Sequence, residues 1–122
     1  MPKKVLIIED ETALLYALQS QLSAEGFQTI SADDGQKAMD IIEHIRPDVI
    51  ILDIILPKID GWQLLKNIKQ KDETKDIPVI IVSNLSDEVS RKKGIQLGAK
   101  DYLAKINYSV EELIAKIKDL IK

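Results

Sequence analysis

The feature of this sequence that most constrains its fold is a regular alternation of short apolar runs and segments with helical periodicity. Five runs are rich in aliphatic residues, as buried strands are. They cover residues 5–8, 27–30, 49–52, 79–82 and 102–104. Between them, apolar residues recur at helical spacing; Leu14, Leu18 and Leu22, for example, repeat every four residues. The pattern predicts five consecutive strand–helix units.

Strands that alternate with helices form a parallel sheet covered by helices on both faces. The continuous apolar character of the runs agrees with strands buried on both sides. We therefore predict an α/β fold, a doubly wound parallel sheet of five strands built as (βα)5. The 122 residues fit one domain, and the sequence contains no linker or low-complexity segment.

Several helix starts carry capping residues. Ser109 with Glu112 has the spacing of a capping box, and Asp60 with Gln63 is a looser version of it. Asp34 is placed to cap the second helix.

Composition excludes several classes of function. The chain has no cysteine, which rules out disulfides, thiolate catalysis and cysteine-ligated metals. Its net charge of −3 argues against nucleic acid as a direct partner. No stretch approaches the roughly 18 apolar residues that a membrane span needs, and no signal peptide is evident. We expect a cytoplasmic protein that does not bind membranes.

Polar residues stand at the carboxyl ends of four of the five predicted strands. They are Glu9 and Asp10, Asp53, Ser83 and Lys105. Because these strand ends share one edge of a parallel sheet, where ligands bind, the five side chains are expected to meet. Asp53, which follows an apolar run, then lies beside two acids, a hydroxyl and an ammonium group.

This grouping predicts a chemistry. Two carboxylates ~4 Å apart repel each other by about 4 kcal/mol at an effective dielectric constant of about 20. A divalent cation relieves that repulsion, and oxygen ligands alone favour Mg²⁺. Lys105 adds a second positive charge and Ser83 a hydrogen-bond donor. Cations around a carboxylate nucleophile are what phosphoryl transfer to an aspartate requires.

Each residue taken alone has a simpler interpretation. Asp10 could cap the first helix, Ser83 could belong to a turn, and Lys105 could be a surface lysine. The joint pattern favours a site over these separate explanations.

Three further residues are assigned to the scaffold. His44 is expected to be an exposed helix residue rather than a phosphohistidine donor, and Trp62 and Tyr108 to be packing residues. The chain has no glycine-rich phosphate loop of a nucleotide-binding fold.

Four blocks of the sequence resemble the response-regulator receiver domain of two-component signalling. They are VLIIEDE, DVIILDIILPKIDGWQLL, IPVIIVSN and GAKDYLAK, in the order and spacing of that family. The resemblance covers essentially the whole chain. It implies a flavodoxin-like strand order of 2-1-3-4-5 and a single receiver domain over residues 1–122, with no output domain.

The resemblance also implies a phosphorylation site. Asp53 is the expected phosphoacceptor. Glu9 and Asp10 are expected to hold Mg²⁺ together with Asp53 and the backbone carbonyl of Ile55.

The remaining site residues are expected to respond to the phosphoryl group. Ser83 bonds its oxygen, Lys105 neutralises its charge, and Tyr102 turns inward when Ser83 moves. The surface of the fourth helix, fifth strand and fifth helix then changes its affinity for an output protein that the sequence does not identify.

The resemblance further implies the partners. The donor is a sensor histidine kinase or a phosphotransfer protein, or a small phosphodonor. The domain modifies itself and turns over no free substrate, so it is not an enzyme. A monomer or a weak dimer is expected.

The sequence departs from the family pattern at three places. Ile106 replaces the usual proline after Lys105, which predicts a trans peptide bond or a rearranged loop. Asn84 stands where a small residue is usual. Ile55 and Leu85 are apolar at positions that border the path of the hydrolytic water, which predicts slow self-dephosphorylation.

Two other functions stay open. One is a receiver-like scaffold that acts without phosphorylation, which the missing proline favours. The other is a phosphohydrolase that uses an aspartyl phosphate. Such enzymes place a second acid two residues after the nucleophile, where this chain has Ile55.

Overall fold

The sheet is five-stranded and parallel, as the alternation predicts. The computed structural model describes residues 3–121, so residues 1, 2 and 122 of the expected domain lie outside the described part. The strand order is β2-β1-β3-β4-β5, which confirms the order implied by the resemblance. The strands are β1 (Lys4–Ile8), β2 (Gln28–Ala32), β3 (Val49–Leu52), β4 (Val79–Ser83) and β5 (Asp101–Ala104).

Helices cover both faces of this sheet. They are α1 (Thr12–Ala24), α2 (Gly35–Ile45), α3 (Gly61–Gln70), α4 (Glu88–Gln96) and α5 (Val110–Ile121), and a 3₁₀ turn spans Lys105–Asn107. Residues of α1 and α5 form one core with one side of the sheet, and residues of α2 and α3 form a second core with the other. None of the helices described is long and apolar enough to cross a membrane.

Neighbouring residues of the central strand serve opposite cores. Ile50 and Leu52 pack on the side of α2 and α3, whereas Ile51 packs on the side of α1 and α5. All three are at most 2% exposed. Burial on both sides explains why this strand shows no alternation of polar and apolar residues.

The second strand lies later in the chain than its predicted range of 27–30. The Phe27 N–H bonds to the Leu22 carbonyl and thus helps to close the end of α1. The strand instead continues to Ser31 and Ala32, which pair with the last residues of β1. The apolar pattern missed this extension because Ser31 is polar and exposed.

One predicted capping box is present and the looser one is not. The Ser109 N–H donates to Glu112 Oε1 (2.9 Å), and the Glu112 N–H donates to Ser109 Oγ (3.1 Å). Asp60 caps α3 with its own side chain, but Gln63 bonds to Asn67 along the helix instead of reaching back.

Candidate functional site

Three carboxylates converge at the carboxyl ends of the neighbouring strands β1 and β3. Glu9 and Asp10 follow β1, Asp53 follows β3, and one oxygen of each lies within 4.8 Å of the others. Glu9 and Asp53 are only 2% and 3% exposed, whereas Asp10 is exposed. The backbone fixes both buried residues, because Asp53 N–H donates to Ile8 (2.9 Å) and Glu9 N–H to Ala32 (3.0 Å).

Lys105 supplies the positive charge of this cluster. Its Nζ lies 2.8 Å from Glu9 Oε1 and 3.2 Å from Asp53 Oδ2. A third carboxylate, that of the exposed Glu11, is 3.7 Å away. The sequence prediction missed Glu11, although it directly follows the Glu9–Asp10 pair.

The charges in the cluster influence one another. Burial is the main cause that raises the pKa of Glu9 to about 7; the nearby Asp53 charge adds to the rise, and Lys105 opposes it. Burial lowers the pKa of Lys105, but the carboxylates of Glu9 and Asp53 outweigh burial, so that pKa is raised overall. Lys105 therefore stays charged, and Glu9 holds its proton to a higher pH than an ordinary glutamate does.

The donor set suits a hard divalent cation. Its ligand atoms are carboxylate oxygens, which Mg²⁺ and Mn²⁺ accept. The Ile55 N–H donates to Asp53 Oδ1 (3.1 Å), so the peptide backbone of Ile55 lies beside Asp53. The role of the Ile55 backbone carbonyl in holding a metal stays a prediction.

Ser83 and Tyr102 meet at one residue of the β4–α4 loop. Ser83 is fully buried, and its Oγ accepts a hydrogen bond from the Leu85 N–H (3.1 Å). The Tyr102 hydroxyl donates to the Leu85 carbonyl (2.7 Å). Ser83 makes no hydrogen bond to a carboxylate within the described part of the chain, so the structure does not join it to the acidic cluster.

Tyr102 points inward in this structure. Its ring is 5% exposed and packs beneath α4, where a Cβ on Gly94 would stand 3.0 Å from Tyr102 Cδ2. Burial raises the pKa of its hydroxyl. Because Gly94 leaves room for the ring, the inward position requires no distortion of α4.

The loop after Lys105 has no cis peptide bond, like the rest of residues 3–121. This confirms the trans bond expected from Ile106. Lys105 begins the 3₁₀ turn, and its ammonium group contacts both Glu9 and Asp53 although isoleucine follows it. Ile106 itself is 79% exposed.

Within residues 3–121, the side chains of the three residues assigned to the scaffold make no hydrogen bond or ion pair to this cluster. His44 is exposed on α2, and its Nδ1 is 2.7 Å from the Asp40 carbonyl oxygen of the same helix. Trp62 and Tyr108 are half-buried and pack against the two cores. Lys93 also lies over the Trp62 ring, 4.6 Å from its centroid.

Residues 5–118 match the profile of the response regulator receiver domain. This chain belongs to that family. It is 34% identical, over all of its length, to the alkaline phosphatase synthesis transcriptional regulatory protein PhoP of Bacillus subtilis (strain 168), of which it covers 50%. The chain thus spans about half the length of the curated relatives that it matches.

Two solved response regulators are similar over nearly the whole receiver. The Mn²⁺-bound form of response regulator Rcp1 superposes with a TM-score of 0.87 at 29% identity, and 98% of this chain and 91% of Rcp1 are covered. The phosphorylated cyanobacterial phytochrome response regulator RcpA gives a TM-score of 0.89 at 28% identity, with the same two coverages.

Membership in the family gives the acidic cluster its context. This chain is a receiver of a two-component system, with a pocket formed by Glu9, Asp10 and Asp53. A receiver domain is not a conventional enzyme.

Proposed function

We propose that this receiver accepts a phosphoryl group on Asp53 from a phosphohistidine, in a reaction that depends on Mg²⁺. The observation that carries the proposal is the buried Asp53 carboxylate, 3.2 Å from Lys105 Nζ and within the acidic cluster. A carboxylate oxygen of Asp53 forms the new P–O bond while the P–N bond of the phosphohistidine breaks. The products are an aspartyl phosphate and a free histidine on the donor.

The proposal assigns the metal to Glu9, Asp10, Asp53 and the backbone carbonyl of Ile55. Bound Mg²⁺ would supply positive charge that offsets the carboxylates and the phosphoryl oxygens. The clustered oxygens support this assignment, as does the Mn²⁺-bound form of the relative Rcp1.

Lys105 and Ser83 are assigned to the phosphoryl group itself. Lys105 already lies against Asp53, so a small movement of its ammonium group brings it to a phosphoryl oxygen. The Ser83 hydroxyl donates to another phosphoryl oxygen. Its Oγ also accepts the Leu85 N–H, and the Leu85 carbonyl accepts the Tyr102 hydroxyl, so a movement of Ser83 toward the phosphoryl group is passed to Leu85.

The link from Ser83 through Leu85 to Tyr102 is the proposed route from phosphorylation to output. Because Ser83 and Tyr102 bind the same residue, a change at Ser83 shifts the balance of Tyr102 positions and of the α4–β5–α5 surface. That surface then changes its affinity for an output protein. We further propose a single receiver domain over residues 1–122, cytoplasmic and monomeric or weakly dimeric, that binds neither nucleic acid nor membranes directly.

Intact mass measurement tests the reaction. The protein is incubated with acetyl phosphate and Mg²⁺, beside an EDTA sample and the Asp53→Asn variant. We expect one phosphoryl adduct that requires both Mg²⁺ and Asp53. The scaffold alternative expects no adduct, either from acetyl phosphate or from phosphohistidine donors.

A further inference from the structure

The loop of residues 54–60 contains the Ile55 carbonyl, which belongs to the proposed metal site. It begins beside the phosphoacceptor, where the Ile55 N–H bonds to Asp53. Its base is closed by a hydrogen bond from the Gly61 N–H to the Ile54 carbonyl (3.0 Å). A Cβ on Gly61 would stand 2.8 Å from the Ile54 carbonyl carbon, so the two ends of the loop are in direct contact.

The outer side of this loop rests on the start of α2. The Gly35 N–H points to the Pro57 carbonyl at 3.4 Å. A Cβ added to Gly35 would collide with Cβ of Ile59 and lie 3.2 Å from the Ile59 carbonyl oxygen. Gly35 is thus a point of close contact between α2 and the loop, where an added side chain would have to displace Ile59.

The neighbours of Gly35 hold the loop at this position. Asp34 is 5% exposed; its Oδ1 caps α2 by accepting the Lys37 N–H (2.9 Å), and its Oδ2 lies 3.4 Å from Lys58 Nζ. Lys58 has a φ of +69°, a left-handed conformation that costs free energy for a residue with a Cβ. Such a conformation persists where the surroundings hold it, and the start of α2 supplies that support.

We propose that the start of α2 holds the loop of residues 54–60 in position for metal binding and that Gly35 is the positioning residue. The inference rests on the proposed binding of Mg²⁺. Glu9 and Asp53 directly follow strands and are fixed by backbone hydrogen bonds to neighbouring strands. The Ile55 carbonyl is instead carried by the loop, so its position depends on what the loop packs against.

Magnesium titration of two glycine variants tests this role. Isothermal titration calorimetry measures the Mg²⁺ affinity, and urea unfolding confirms that each variant is folded. Gly35→Ala is expected to weaken Mg²⁺ affinity by about tenfold or more, as changes behind metal ligands commonly do. All carboxylates remain present in this variant.

Gly26→Ala is the matched control. Gly26 has a φ of +94° and no atom within 4 Å of an added Cβ, so alanine there strains the backbone at the end of α1 without touching the loop. We expect a loss of stability with unchanged Mg²⁺ affinity. If Mg²⁺ affinity falls equally in both variants, general destabilisation is the cause, and the positioning role of Gly35 is rejected.

A third variant loosens the same contact instead of crowding it. Ile59→Ala removes the branch that faces Gly35, and we expect severalfold weaker Mg²⁺ binding even if Gly35→Ala does not fold. If Ile59→Ala, or a folded Gly35→Ala, binds Mg²⁺ with wild-type affinity, this inference is overturned and the proposed function stands. A wild-type protein that does not respond to Mg²⁺ would overturn the proposed function and the inference with it.

Discussion

Asp53 shows how a buried acid is accommodated after an apolar strand. Its Oδ1 accepts the Ile55 N–H and its Oδ2 faces Lys105, so both carboxylate oxygens have partners. No buried side-chain nitrogen or oxygen among residues 3–121 lacks a hydrogen-bond partner. A carboxylate with donors and a cation avoids most of the cost that burial otherwise imposes.

Glu9 is expected to make the metal-free protein less stable as the pH rises. Its pKa is raised by burial from 4.5 to about 7, so the folded protein binds more protons than the unfolded chain throughout that interval. Stability therefore falls with rising pH across this window. Urea unfolding in EDTA, from about pH 5 to about pH 8, is expected to show a decreasing free energy of unfolding.

The Glu9→Gln variant isolates this effect. Glutamine has no proton to lose, so the decrease over the same interval is expected to be smaller than in the wild type. An unchanged pH dependence in Glu9→Gln would assign the titration to another group.

Ile55 and Leu85 are expected to prolong the life of the aspartyl phosphate. Ile55 is 52% exposed beside Asp53, and Leu85 is half-buried beside Ser83. The double variant Ile55→Asn with Leu85→Lys places polar groups that can orient water, and we expect about tenfold faster loss of the phosphoryl group, equal to a barrier lower by about 1.4 kcal/mol. Phosphoryl half-life by intact mass checks this; an unchanged half-life would refute it.

At the scale of elements, the start of α5 illustrates how local signals act. Ser109 and Glu112 each satisfy a backbone N–H at that end of the helix. Ser109→Ala is expected to lower the free energy of unfolding by about 1 kcal/mol. Ser20→Ala, an exposed position within α1, is the control and is expected to cause no loss, since alanine favours helix interiors.

The elements also show where local patterns fail. The positions of β1, β3 and β4 follow from aliphatic runs that are buried on both sides. The predicted range of β2 was wrong because Ser31 and Ala32 join the sheet by pairing with β1. A search for apolar runs does not detect such pairing. The side-chain amide of Gln63 likewise donates to Asn67, one helical turn further along, instead of reaching back to the start of α3.

At the scale of the whole molecule, Mg²⁺ is expected to stabilise the fold. In the proposed function the metal would bind a cluster assembled from the ends of β1 and β3, which the unfolded chain lacks. At a concentration one hundred times the Kd, the gain in the free energy of unfolding is about 2.7 kcal/mol. Urea unfolding with and without Mg²⁺ measures it, and Asp53→Ala, which removes one ligand, is expected to show a smaller gain.

The sequence by itself determined the strand–helix alternation, the parallel sheet and the convergence of Glu9, Asp10, Asp53 and Lys105 at one edge. These follow from periodicity and from polar residues at strand ends, which are local properties of the chain. Its resemblance to the receiver family also implied the strand order that the structure confirms.

The tertiary structure alone decided which atoms meet at that edge. It brought Glu11 to Lys105, joined Ser83 and Tyr102 through Leu85, and set Gly35 against the loop after Asp53. These contacts join residues that are distant in the chain, or depend on loop conformations such as the positive φ of Lys58. Packing fixes such arrangements, and no local pattern of residue types specifies them.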